Sequence, residues 1–345
     1  MSRGFGKPET RDSALVALKK SYAEFWKLIQ KQIAKLNSDE ADRDRFSALL
    51  GTTPLGGQLR LSDLLARYAF AKFVIDELQH LNQVSDDLDF YHLTLLAEEG
   101  DMSDREPLFA LRLLKRKADK AMRKAGLDGI YVIEVQPLMN WPQKGEGRTL
   151  LAHVHVLGWK KNSAPDNSAA DIRRALGYDR RRRNLAWSSH FGADPIVVRH
   201  LTLEKGCPSF WAAYLLKVPH NAKSRVPRKN YEATSGKSEF KLRTTSLGYR
   251  PELAMRLLEL FAQLPIFATI GGVGSGAAIL GRCKNRLKLW DAQRQAGWKK
   301  NGLKEVPPFD EVEFWQHTHK RRKARYLSFF IDGPTVAPRI RRQRR

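Results

Sequence analysis

The sequence predicts an α+β protein: a central antiparallel sheet flanked by helices, with an α-helical N-terminal region before it and a basic C-terminal region after it. Three observations predict this. Apolar residues recur at three- and four-residue steps as far as about His80, the period changes after Ser85-Asp86-Asp87, and strand-like runs then alternate with helical ones. The divisions fall at residues 1–84, 85–250 and 251–345.

Leu15, Leu18, Tyr22, Phe25, Trp26 and Ile29 mark a first N-terminal helix. Leu61, Leu64, Leu65, Tyr68, Phe70 and Phe73 mark another, with Asp63 as its start signal and the glycine-rich break at residues 51–57 before it. Next come a strand over Asp89–Ala97, a basic amphipathic helix over Pro107–Ala125, and strands over Gly129–Gln136 and Thr149–Trp159. Met139–Arg148, with Pro142, Gly145 and Gly147, fits the loop of an antiparallel pair. Asp166–Leu176 reads as helix, Pro195–Leu203 as strand and Ser209–Val218 as helix, and Arg225–Lys229, with Pro227, reads as a loop. Pro251–Leu264 is the one clear helix beyond Gly248. A glycine stretch and a mostly basic polar chain follow, ending in a flexible tail at Arg339–Arg345.

Sixty-one lysines and arginines stand against 37 acidic residues, a net charge of +24, so the expected partner is a polyanion, with nucleic acid favoured over membrane. At 42% hydrophobic residues the chain is too apolar to be a disordered polycation. It has no apolar run of membrane-spanning length and no secretory signal at its start, so a soluble, cytoplasmic protein is expected. Cys207 and Cys283 are far apart and form no CxxC, which leaves histidines and carboxylates to hold any metal.

The informative segment is Ala152-His153-Val154-His155-Val156. On a strand His153 and His155 point to one face, where two imidazoles can share a metal. Glu134 lies on the preceding strand with Gln136 in the same phase, and a hairpin brings that face beside the histidines. Two histidines and a carboxylate with open positions suit Mg²⁺ or Mn²⁺ and leave room for a phosphate oxygen. His317 and His319 form a second pair, expected at the surface or against phosphate beside the basic run after them. Tyr214 and Lys217 sit at i and i+3 on a helix and are therefore neighbours. A cation near a tyrosine oxygen makes it a better nucleophile; alternatively Tyr214 belongs to an apolar stripe with Trp211 and Val218.

In order along the chain, the first strand Phe90-Tyr-His-Leu-Thr-Leu-Leu, the His153-Val154-His155 pair and Tyr214-Leu-Leu-Lys217 resemble the motifs of the HUH endonucleases. The resemblance covers about residues 86–225 and looks closest to single-tyrosine rolling-circle replication initiators of bacterial plasmids and phages. It implies a metal-dependent DNA nicking and joining enzyme. His153 and His155 would be metal ligands with Glu134 as the third in preference to Gln136, Tyr214 the nucleophile and Lys217 its helper. The implied partners are single-stranded or origin DNA and the host replication machinery. Because the tyrosine follows the histidines, a relaxase fits less well, and a rolling-circle transposase would usually carry a second tyrosine one turn on, where Lys217 or Val218 stands.

The glycine stretch Gly271–Ala278 is no phosphate loop, since alanines stand where Lys and Ser or Thr are needed. No ATP site is recognised, and a host helicase is expected to open the duplex; the glycines serve bends or close packing. Arg180–Arg183 with Trp187, and Lys115–Lys117, are candidate strand-tracking groups. The rival from another class is a noncatalytic nucleic-acid-binding protein in which the two histidines merely finish a sheet.

Overall fold

The computed structural model describes residues 10–36, 40–49, 57–85, 87–103, 110–142, 148–162, 168–177, 187–188, 194–201, 208–219, 222–227, 240–244 and 250–300. Tyr178, Arg180–Arg183, Cys207, Tyr231, His317, His319 and Arg339–Arg345 lie outside them. The N-terminal helices are α1 (Arg11–Ile33), α2 (Glu40–Leu49) and α3 (Leu64–Val84). Thr10 caps α1 in a reciprocal capping box with Ser13, and Asp63 caps α3 by accepting from the Ala66 N–H at 2.9 Å. Then come β1 (Leu88–Leu95), β2 (Asp101–Ser103), α4 (Leu111–Lys124), β3 (Asp128–Pro142), β4 (Arg148–Lys161), α5 (Ala169–Ala175), β5 (Ile196–Leu201) and α6 (Pro208–Leu216). The last elements are β6 (Lys223–Pro227), β7 (Phe240–Thr244), α7 (Pro251–Gln263), β8 (Ile270–Val273) and α8 (Ser275–Lys300).

The strands form a sheet in the order β5-β1-β4-β3-β6-β7, with β2 added to β4 and β8 to β3, and helices flank it. The α+β class holds, but the sheet is mixed where an antiparallel one was expected. Every strand pair is antiparallel except β3 with β6, which run parallel through Leu138↔Lys223 and Met139↔Ser224. The chain reaches β6 only after β4, α5, β5 and α6, the kind of long crossover that a parallel pair requires. Arg225–Pro227 accordingly belong to a strand and not to a loop, and Pro227 ends it. The hairpin is also longer than expected: β3 runs on to Pro142, with a register irregularity after Pro137, and β4 starts at Arg148.

Register assigns the two faces. His153 and His155 share the front with Glu134, His92 and Thr94, because directly paired residues point the same way. Val154, Ile133, Val135, Tyr91 and Leu93 fill the back. Against the front lies α6, and behind the back lies α4, where the Tyr131 hydroxyl reaches the Lys115 carbonyl at 3.5 Å. A single apolar cluster draws on all three stretches of the chain, from Leu18 through Leu93 to Leu258.

Sequence reasoning did not find α8. Ile279, Cys283, Leu287, Trp290 and Arg294 make a narrow buried stripe at three- and four-residue steps, with an arginine at its end. Arg294 is 2% exposed and meets Asp63 at 2.9 Å and Asp291 at 2.8 Å, which supplies the countercharges that burial demands. The glycines before and within α8 divide into two kinds. A Cβ on Gly276 would land on the Gly129 carbonyl of β3, whereas one on Gly281 meets nothing within 4 Å. Gly276→Ala is therefore expected to destabilise the fold by about 1–3 kcal/mol or more, and Gly281→Ala, inside the same helix, to stabilise it by about 0.5–1 kcal/mol. Urea midpoints of the two variants check this, and equal midpoints would contradict it.

Candidate metal centre and tyrosine site

The centre is built on the β3–β4 pair. Glu134 lies directly across from His153, and His155 is two residues further along β4 on the same face. All three are buried, and their ligand atoms lie within 4.8 Å of one another, so they form a cluster able to hold a metal ion. His155 Nε2 is 2.9 Å from Glu134 Oε2 and 3.0 Å from His153 Nε2, and His153 Nε2 is 3.5 Å from the same oxygen. Neighbouring ligands of an octahedral cation with bonds near 2.1 Å stand about 3 Å apart, which these separations approach.

The His155 proton has two possible seats. A neutral imidazole carries one N–H, and His155 Nδ1 already faces Thr94 Oγ1 at 3.2 Å. With that nitrogen protonated, the His155 Nε2 lone pair faces the carboxylate. With the proton on Nε2 instead, His155 donates it to Glu134 Oε2, and a cation bound between the three atoms would displace that proton. The residues present fit a divalent metal.

Electrostatics prepares the donors. Burial would raise the Glu134 carboxyl, but the Lys217 charge and hydrogen bonds from both histidines hold it well below the ordinary 4.5. Burial pushes His155 down to about 3 against the pull of Glu134, and lowers His153 as well. Imidazoles that stay neutral and a carboxylate that stays ionised are the ligand states a metal needs.

Lys217 follows α6 and sets its Nζ 3.1 Å from both Glu134 oxygens and 4.1 Å from the centre of the Tyr214 ring. Burial opposes its charge, yet Glu134 and Tyr214 raise its ammonium above the usual lysine value. Tyr214 is the one residue of α6 that is not fully buried. Its ring meets His155 edge-on at 5.6 Å between centroids, with Trp211 at 5.7 Å.

The structure thus brings all five residues singled out from the sequence, Glu134, His153, His155, Tyr214 and Lys217, to one place. Gln136 is buried in the same phase, two residues further along β3 and opposite Leu151. Of Lys115–Lys117 only Arg116 is exposed: Lys115 donates to the Ile270 carbonyl at 2.9 Å and Lys117 pairs with Glu99 at 2.6 Å.

Sequence reasoning missed His92, Thr94, Trp211 and Lys223. His92 stacks between His155 and Trp211, at 5.3 and 4.7 Å, and burial holds it well below the ordinary histidine value. Thr94 was legible as the residue in phase with His92 on the first strand. Lys223 is lowered by burial and by Lys217 in spite of Glu134, and the loop reading of its neighbours hid it. No family model, characterised protein or solved structure matches the chain.

Replacing His153 or His155 with alanine should weaken Mn²⁺ binding by more than the roughly 10–100-fold that loss of an outer-shell partner costs. Calorimetric titration reads this, and a double variant that binds as the parent does would dissolve the centre. The metal-free protein should also lose stability as pH falls. His92, His153 and His155 take up protons near 6.5 once unfolded but resist them when folded, down to about 3 for His155. Their contribution is complete above 6.5 and declines steadily below it, with Glu134 adding to the loss under 4.5. Denaturant midpoints that do not change between neutral and mildly acid pH would contradict this.

Proposed function

We propose that the chain nicks and rejoins single-stranded DNA by tyrosine transesterification, as a rolling-circle replication initiator does. The observation that supports this most directly is the placement of Tyr214, on α6, and Lys217, just beyond its end, over the buried Glu134–His153–His155 cluster. That set joins a nucleophile to a cation site in the arrangement the ordered sequence motifs imply. A Mg²⁺ or Mn²⁺ ion in the cluster would supply Lewis-acid charge at a non-bridging phosphate oxygen.

The Tyr214 oxygen attacks the phosphorus in line. A bond forms from that oxygen to phosphorus, the bond from phosphorus to the 3′-oxygen breaks, and the phenol gives up one proton while the departing 3′-hydroxyl gains one. The products are a 5′-phosphotyrosyl chain and a free 3′-hydroxyl able to prime synthesis. Because the phosphodiester energy is kept in the covalent link, the reverse attack can rejoin the strand. Lys217, anchored by Glu134, stabilises negative charge on the phenol oxygen or the phosphate. Trp211 and His155 fix the Tyr214 ring, so that its rotation is restricted before substrate arrives. Strand separation would fall to a host helicase.

A labelled oligonucleotide incubated with the protein and Mn²⁺ should give a covalent protein–DNA band. Tyr214→Phe should abolish that band with fold and metal binding intact, and Lys217→Ala should slow its formation by about 10²–10³-fold. Peptide mapping that places the DNA on Tyr178 or Tyr231 would overturn the assignment, and a parent protein that binds DNA without any adduct would leave a noncatalytic binder.

A further inference from the structure

The back of the sheet carries a second feature that the tyrosine site does not use. Helix α4 turns Leu114, Ala118, Ala121 and Met122 into the core. Every exposed position of the helix, at Arg112, Arg116, Lys120, Arg123 and Lys124, is basic. Four of them, Arg112, Arg116, Lys120 and Lys124, follow one another at four-residue steps, about 6 Å apart along the axis, and so form a ridge about 18 Å long that winds about 120° around the helix. The acidic neighbours are engaged elsewhere: Glu99 pairs with Lys117, and the Tyr131 hydroxyl responds to Asp119. Where the ridge ends at Lys124, a cavity of about 360 Å³ opens between α4, β4 and α5. Lys160 and Arg174 line it as well, and its one carboxylate, Asp171, is taken by Arg174 at 2.8 Å.

We propose that this ridge and the cavity beyond it grip the phosphate backbone of a double-stranded nucleic acid, on the face of the sheet opposite Tyr214. Charge complementarity selects a polyanion, because each phosphate neutralised releases condensed counterions. The absence of aromatic side chains among the exposed positions of α4 selects a duplex over a single strand, whose unpaired bases call for stacking platforms. A lipid surface fits poorly, since the apolar side of α4 is already buried in the core and nothing remains to enter a bilayer. Duplex binding here needs no chemistry at the tyrosine site, so it stands or falls independently of nicking.

The test compares the full chain with the variant Arg112→Gln, Lys120→Gln, Lys124→Gln, whose changes are all on the surface, leave Arg116 in place, and whose fold is checked by circular dichroism. The probes are DNA and RNA duplexes of arbitrary sequence, titrated over a range of salt. Loss of three phosphate contacts should weaken duplex binding more than tenfold near 0.1 M salt and lower the slope of log K against log salt by about 3. A variant with arginine and lysine exchanged along the ridge should keep both. Adduct formation on a short single-stranded oligonucleotide should be unchanged by the Gln variant. Duplex affinity and slope equal to the parent's would overturn the inference. So would a fall in adduct formation in step with duplex binding, which would assign the ridge to the path of the cleaved strand. Loss of binding to phosphatidylserine-containing vesicles with duplex binding intact would assign it to a membrane instead.

Discussion

A carboxylate held away from water is the constraint to which the front of this molecule answers. Glu134 sits on a central strand at 7% exposure, and an ionised group there is costly unless opposite charge and hydrogen bonds reach it. Lys217 supplies the charge by contacting both oxygens, and two imidazoles supply further contacts. Lys217 can do so only if α6 is fixed, because it is the first residue beyond that helix. Two ties hold α6: Tyr22 of α1 donates to the Leu216 carbonyl at 2.9 Å, and Ser209 donates to Gln79 of α3 at 2.8 Å. The N-terminal helices contribute no side chain to the cluster, yet they decide where its lysine and tyrosine stand.

The same charge balance bears on what the site can accept. Near the single carboxylate lie Lys217 and, at the start of β6, Lys223. Adding a divalent cation to neutral imidazoles and one carboxylate leaves the centre short of negative charge. The phosphodiester of the proposed reaction would bring that charge. The front face is aromatic and histidine-rich around that point, whereas the outer surface behind the sheet is basic along α4. Among the described residues no helix is long and apolar enough to cross a membrane.

Much of the site was legible in the sequence because its geometry is local or periodic. The two-residue period of a strand alone puts His153 and His155 on one face, and the helical period alone makes neighbours of Tyr214 and Lys217. The hairpin between Glu134 and His153 was readable too, since consecutive strands usually pair. Lys223 was not, because its strand is parallel to β3 and separated from it by four intervening elements, and proline in a short basic run resembles a loop. Helix α8 escaped for another reason: glycines at its start and an arginine at the end of its apolar stripe disguise a core helix, and Asp63, more than two hundred residues earlier, joins Asp291 in making that buried arginine tolerable.

By itself, then, the sequence determined the class of fold, the face on which each residue of the β3–β4 hairpin points, the pairing of the two histidines on one face and the helix that carries the tyrosine. These follow from backbone periods of two and 3.6, which no distant contact can alter. The tertiary structure alone decided that one strand pair is parallel, that His92 and Thr94 stand beside the histidine pair, and that Lys217 turns to Glu134. It also decided that the N-terminal helices brace α6. Each of these depends on which segments meet after the chain has closed long loops, and that choice is made by the burial of apolar faces and the pairing of buried charges across the whole molecule.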